Sequence, residues 1–251
     1  MNEFSEEALT QNAFLGGQVH IWQPRKGYRA GVDPVLLAAC VPAKAGQSVL
    51  ELGCGVGTAV LCLGARVPGL DLIGVEHAPD YAALAVRNGD GALTVVQADI
   101  GKMPLIVRDR QFDHVIANPP FFDRTASRRS DDPAREVAHG EATPLHQWLA
   151  IAAKRLRPKG MLHFIHRAER LPELLRELPQ DVGSVEVLPI TSRNGRAAER
   201  IILRARKNGR GAFRLHAPLV MHQGAAHRND RDKDYSAEIN AVLREGAALE
   251  F

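Results

Sequence analysis

The chain has 251 residues, 45% of them apolar and 24% charged, with a formal net charge of +3. That length buries a full core within one domain, and the apolar run Val35 to Val41 is far too short to cross a bilayer. The opening MNEFSEEALT is acidic and polar, unlike a secretory leader. Cys40, Cys54 and Cys62 form no CxxC pair, so a reducing, cytoplasmic setting is expected rather than a disulfide framework. No metal site is expected: His163 and His166 sit in one strand, no cysteine or carboxylate set completes a site around the histidines, and ordinary core or surface use is the reading for each.

In chain order, Phe14 to Trp22 is predicted as a small extended lid. Asp33-Pro34 then opens an apolar helix, Val35 to Cys40, with Asp33 expected to cap its free N–H groups. Strand and helix patterns alternate after that: Ser48–Leu52, helix Thr58–Arg66, Asp71–Glu76, helix Pro79–Asn88, Leu93–Gln97 and Phe112–Ala117. Helix Leu145–Leu156 follows, with Pro158-Lys159-Gly160 as its stop, then strand Met161–His166 and a helix around Glu169–Leu178. Val185–Ile190 and Glu199–Ala205 read as a closing antiparallel pair, Leu215–His222 as a further strand, and Ser236 to about Arg244 as a last helix. The predicted fold is α/β, a seven-stranded, mainly parallel sheet with helices on both faces and a C-terminal antiparallel hairpin. A single domain over 1–251 is expected, with a lid and helix in 1–45, a catalytic core in 46–210 and a decoration in 211–251.

The strand-to-helix junction Glu51-Leu52-Gly53-Cys54-Gly55-Val56-Gly57-Thr58 is rich in glycine, which admits positive φ and lets a ligand lie against bare backbone. Dinucleotide folds space their glycines G-x-G-x-x-G, but here Gly53, Gly55 and Gly57 alternate. Glu51 ahead of the turn would repel pyrophosphate yet suits a cationic, methionine-like group. Glu76, ending the next strand, is placed to accept both ribose hydroxyls of a nucleoside. Together these point to S-adenosylmethionine. Cys54 within the turn reads as a small buried filler rather than a nucleophile, and as part of the turn it is counted among the expected cofactor-binding residues. Asp99 follows the third strand, where an acid can meet the cofactor's adenine amine, or can simply serve as a turn or cap residue.

After the strand Phe112–Ala117 comes Asn118-Pro119-Pro120-Phe121. Two prolines fix φ and restrict the residue ahead of them, so the Asn118 side chain is held in place. An amine conjugated to a ring is a poor nucleophile. The Asn118 side-chain oxygen and the Pro119 carbonyl can each accept one of its N–H groups, which aims the lone pair, while Phe121 stacks on the base. The segment Asp123 to Thr143 reads as a substrate loop whose Arg124, Arg128 and Arg129 meet phosphates. A second basic excess runs from Arg193 and Arg196 to Arg214, with Glu199 as its lone acid, and suits a polyanionic partner.

The segment from Ser48 to His166 resembles the class I, Rossmann-like S-adenosylmethionine-dependent methyltransferases that carry an Asn-Pro-Pro-aromatic motif. Tyr28-Arg29-Ala30-Gly31-Val32-Asp33, the Arg193-to-Lys207 hairpin and Tyr235-Ser236-Ala237-Glu238 make most of the chain similar to bacterial tRNA(Val) adenine-N6-methyltransferases. The resemblance implies cofactor roles for Glu51, Gly53, Gly55, Gly57, Glu76 and Asp99. It implies target-base roles for Asn118, Pro119, Pro120 and Phe121, and places Asp33 and Arg29 near the cofactor site. Phe121 stands where many relatives have tyrosine, so stacking survives but a hydroxyl role does not. The expected partner is RNA, tRNA in the first place, and the expected state a monomer. Three alternatives stay open: glutamine methylation of a protein, guanine methylation of ribosomal RNA, and an RNA-binding protein without catalysis.

Overall fold

The computed structural model describes residues 4–120, 143–224 and 234–251. Its central sheet is built on β3 (Ser48–Leu52), β4 (Asp71–Glu76), β5 (Thr94–Gln97), β6 (Phe112–Ala117) and β7 (Leu156–Arg167), all mutually parallel, with β3 between β4 and β6. β8 (Val182–Thr191) and β9 (Ala198–Lys207) close the far side, β9 running antiparallel between β7 and β8. These are the seven expected strands. Two further pieces, β10 (Arg214–Leu215) and β11 (Leu219–Val220), both pair with β8, so the sheet has nine strands. The strand expected over Leu215–His222 is thus broken, with Pro218, which has no N–H to give a ladder, between the two pieces.

Both faces are covered, which is why β6 is buried at every residue and β3 at all but its first. On one face pack α1 (Asp33–Ala39), α2 (Thr58–Arg66) and α3 (Pro79–Gly89), with Leu36, Leu37, Val60, Leu63 and Ala85 in that core. On the other lie α4 (Leu105–Arg108), α5 (Leu145–Arg155) and α6 (Leu171–Arg176), contributing Val107, Leu149, Ala152 and Leu174. The final helix α7 (Ala237–Asn240) begins at Ser236, whose hydroxyl accepts from the Ile239 N–H at 3.2 Å, and opens into a π turn over Ala241–Glu245.

Local expectations fail at three points, each for a physical reason. Pro158-Lys159-Gly160 does not separate α5 from a strand. It forms a bulge inside β7, where pairing jumps from Phe112–Leu156 to His114–Met161 and Lys159 takes a φ of 68°. The lid is a two-stranded antiparallel sheet, β1 (Leu9–Phe14) with β2 (Val19–Pro24), stapled to the body by Asn88. The Asn88 side chain accepts from the Trp22 N–H at 2.8 Å and donates to the carbonyls of Trp22 and Val56. Asp33 caps nothing. It is already the first residue of α1, and its carboxylate accepts from Arg200 Nε on β9 at 2.9 Å.

Candidate active site

In a parallel sheet the carboxyl ends of the strands share one edge. The chain runs β3–β4–β5 in one direction and then returns to lay β6 on the opposite side of β3. The gap this opens between β3 and β6 is where such sheets bind ligands. The glycine turn follows β3, Glu76 ends β4, Asp99 follows β5 and Asn118-Pro119-Pro120 follows β6. Four sequence-separated motifs therefore meet at one edge.

The three glycines of the turn have φ of 63°, 55° and 85° at Gly53, Gly55 and Gly57. A Cβ at Gly53 would sit 2.7 Å from the Trp148 ring, and one at Gly57 would sit 3.1 Å from Leu93. Those two are bare for packing as well as for φ. At Gly55 a Cβ would meet only the Tyr28 ring edge, at 3.7 Å, an ordinary contact. Its bareness leaves backbone open on the pocket side, as a ligand lying against the turn requires. The Gly55 N–H donates to Glu76 Oε2 at 2.8 Å, while Glu76 Oε1 accepts from the Ala78 N–H at 2.8 Å. Cys54 is buried, with its sulfur against Gly74, in the filler role expected of it. Asp99 Oδ1 accepts from the Gly101 N–H at 2.7 Å and caps a short 3-10 turn, so one oxygen serves locally.

Glu51 is buried, and its Oε2 accepts from the Val60 N–H on α2 at 3.0 Å. Burial pushes its carboxyl up to about 8, against the pull of that hydrogen bond and with the help of nearby Glu76. A pKa near 8 favours the protonated form of Glu51 at neutral pH in this fold. Two further buried oxygens, Asp33 Oδ1 and Thr58 Oγ1, have no hydrogen-bond partner among the described residues. Arg200 pairs in the ladder with Arg167, at the end of β7, and this places its ion-pair partner Asp33 at the same edge. Unsatisfied buried oxygens beside a glycine cradle fit a polar ligand that completes them.

Asn118 is half-buried, and its Nδ2 lies 3.5 Å from the Tyr28 hydroxyl. Among the described residues no group of three or more His, Cys, Asp or Glu could hold a metal ion, and no helix is long and apolar enough to cross a membrane. His163 and His166 are fully buried, with pKa values lowered by burial.

The family model of the methyltransferase small domain matches residues 30–193. The chain belongs to this family. The tRNA1(Val) (adenine(37)-N6)-methyltransferase of Actinobacillus succinogenes is 31% identical over 199 residues, covering 76% of this chain and 82% of that one. Its namesake in Haemophilus influenzae is 30% identical over 158 residues, covering 61% and 67%. Among solved structures, a predicted O-methyltransferase from Agrobacterium tumefaciens superposes with a TM-score of 0.70 at 23% identity, over 87% of this chain and 99% of that one. The T. Thermophilus 16S rRNA N2 G1207 methyltransferase, solved with AdoMet and guanosine, follows at a TM-score of 0.55 and 19% identity, over 79% and 50%. These two show the shared fold.

The cofactor of this methyltransferase is S-adenosylmethionine, and the fit of the edge to it is the cradle at Gly55 with Glu76 and the unsatisfied oxygens around it. Glu76→Ala is expected to raise the cofactor's dissociation constant by about 10- to 100-fold, because it removes a ligand and also frees the Gly55 N–H. Equilibrium dialysis checks this, and an unchanged constant takes Glu76 out of the site.

The methyltransferase departs from expectation in its basic residues. Arg193 is buried, both its contacts to the Asp234 carboxylate lie within 3.0 Å, and it donates to the carbonyls of Gln223 and Gly224. It ties the C-terminal segment to the β8–β9 loop and has no open face for a phosphate. Arg200, Arg204 and Lys207 are likewise paired, with Asp33, Glu186 and Asp181. Of the stretch, Arg196 is exposed at the carboxyl edge, since β9 begins there, whereas Arg206 lies at the opposite end of that strand. Arg29 donates to the Pro24 carbonyl and to Asn12, and so holds the N-terminal hairpin rather than the glycine turn. Phe121, Arg124, Arg128 and Arg129 lie outside the described residues. Arg193→Ala is expected to lower the melting temperature by about 10 °C, the effect of orphaning a buried carboxylate. A stable variant with weakened tRNA binding would instead restore Arg193 as a phosphate contact.

Sequence reasoning did not single out Tyr28, Trp148, Asn88 or Arg200. Tyr28 stood within a quoted segment, but nothing in one dimension brings it to a motif ninety residues away.

Proposed function

We propose that this methyltransferase transfers a methyl group from S-adenosylmethionine to the exocyclic amine of an adenine in tRNA, adenine 37 beside the anticodon being the position its named relatives modify. The observation that carries the reading is the half-buried Asn118 side chain at the β3–β6 switch point, opposite the glycine turn. S-adenosylmethionine supplies the methyl group as an electrophile. Asn118 Oδ1 and the Pro119 carbonyl accept the two N–H groups of the amine, draw its lone pair out of the ring and aim it. Pro119 is buried, and a proline there biases the preceding Asn118 toward extended backbone, which narrows the orientations of the acceptor pair. Phe121 stacks on the base and Arg124, Arg128, Arg129 and Arg196 meet phosphates. The methylated nitrogen is acidic enough to lose its proton to solvent, and no strong base is needed. Extruding a partly stacked anticodon-loop base costs little.

The same reading makes the chain one catalytic unit that acts as a monomer in the cytoplasm, a compartment supported by three buried free cysteines. The test is to incubate the protein with methyl-labelled S-adenosylmethionine and unmodified tRNA, then identify the labelled nucleoside. Ribosomal RNA and a release factor run alongside. Label in N6-methyladenosine from tRNA is expected. Label only in ribosomal RNA or protein discards the acceptor.

A further inference from the structure

We infer that Tyr28 is a positioning residue of the acceptor site, whose phenolic oxygen accepts from Nδ2 of Asn118 and keeps Oδ1 of that amide turned toward the incoming amine. The inference rests on the role proposed above for Asn118 and extends it by one residue. An amide side chain is nearly symmetric in shape but not in chemistry. Flipped by half a turn, Asn118 would present its NH2 to the N–H groups of the amine, donor against donor, and catalysis would stop. Something behind Nδ2 must therefore decide the orientation, and what lies there is the Tyr28 hydroxyl at 3.5 Å. At that distance the contact is at the outer limit of a hydrogen bond.

Tyr28 is itself held firmly. Its N–H donates to the Tyr81 hydroxyl on α3 at 3.0 Å, and that hydroxyl returns a bond to the Tyr28 carbonyl at 3.3 Å. Gly27, with a φ of 99°, lets the chain pass so close, since a Cβ there would meet the same Tyr81 oxygen at 3.0 Å. The Tyr28 ring edge faces Gly55 of the cofactor turn, 3.7 Å from where a Cβ would stand, so the side chain lies between the two halves of the site. Burial, joined by Glu51, Asp33, Tyr81 and Glu76, pushes the phenol well above its ordinary range. It stays protonated and is no base. With its proton kept, the phenolic oxygen still has lone pairs with which to accept from the Asn118 amide.

Tyr28→Phe separates the roles, because it keeps the ring against Gly55 and removes only the oxygen. In a nitrogen-edited spectrum the Asn118 side-chain amide pair, identified as the pair missing from Asn118→Ala, is expected to move in Tyr28→Phe while the other signals hold. An unmoved pair overturns the contact whatever the substrate. The single-turnover rate is expected to fall about ten-fold or more, the effect of one lost positioning hydrogen bond, with cofactor affinity changed less than about two-fold. In an Asn118→Ala background the same change should cost nothing further. An undiminished rate, an affinity loss matching the rate loss, or an equal loss without Asn118 each overturns the inference. The acceptor used is the one the wild type methylates, so a wrong acceptor shows in the wild-type lanes and a wrong role for Tyr28 only in the ratio of variant to wild type.

Discussion

Asn118→Ala is expected to lower the rate of methyl transfer by about 10²- to 10⁴-fold while leaving cofactor affinity within a few-fold. The asymmetry follows from where the side chain stands. Asn118 follows β6, across the switch point from the turn after β3. Its oxygen acts on the amine, and that action grows as the nitrogen becomes tetrahedral, so it is felt in the transition state more than in either complex. Pro119 and Pro120 fix the backbone independently of the side chain, and truncation should leave the fold intact. Single-turnover labelling with tRNA measures the rate and equilibrium dialysis the affinity. Near-wild-type turnover in Asn118→Ala would sink the mechanism.

The second large effect concerns Glu51. In the fold its carboxyl holds a proton up to about pH 8, whereas in the unfolded chain it loses it near 4.5. A raised acid is a stability cost that is absent below pH 4.5, grows as pH rises, and levels off above about 8. Glu51→Gln has the same shape, keeps an oxygen for the Val60 N–H and has no charge to bury. It is expected to melt about 10 °C above wild type at pH 8 without cofactor, with the difference vanishing at pH 4.5. Calorimetry at the two pH values decides, and equal melts at pH 8 would mean the carboxyl is not neutral in the fold. The same substitution is expected to weaken S-adenosylmethionine about ten-fold or more, since a cationic ligand would ionise Glu51 and be held by it. Wild-type affinity should accordingly rise with pH toward 8, with proton release visible as a buffer-dependent binding heat that Glu51→Gln lacks.

Most of the fold was legible because its signals are local. The apolar runs of β3 and β6 are the pattern of strands covered on both faces, and Phe112–Ala117, Ser48–Leu52 and Thr58–Arg66 came out with the bounds predicted. The glycine spacing at Gly53, Gly55 and Gly57 and the proline pair after Asn118 carry backbone constraints in the residues themselves. Chain order then put Glu76 and Asp99 at strand ends, on the same edge as both motifs.

What the chain in one dimension could not settle was how charge is distributed in space. Between Arg193 and Lys207 the sequence shows one acid, yet Asp33, Asp181, Glu186 and Asp234 arrive from elsewhere and pair with four of those cations. A run of arginine reads as an open polyanion surface only if no acid folds back onto it, and here Asp33 and Asp234 come from more than fifteen residues outside that run while Asp181 and Glu186 come from just before and within the neighbouring strand β8. The protonated state of Glu51 is likewise a product of burial, which depends on the layers above and below β3. So is the place of Tyr28, brought to Asn118 by a hairpin that Asn88 staples to the glycine turn. By itself the sequence determined the alternation of strands and helices, the glycine turn and the stiff Asn-Pro-Pro motif, since these rest on φ, periodicity and proline stiffness. Tertiary structure alone decided which charges are neutralised and which polar groups face one another, because Coulomb energies and hydrogen bonds depend on distances that the fold creates.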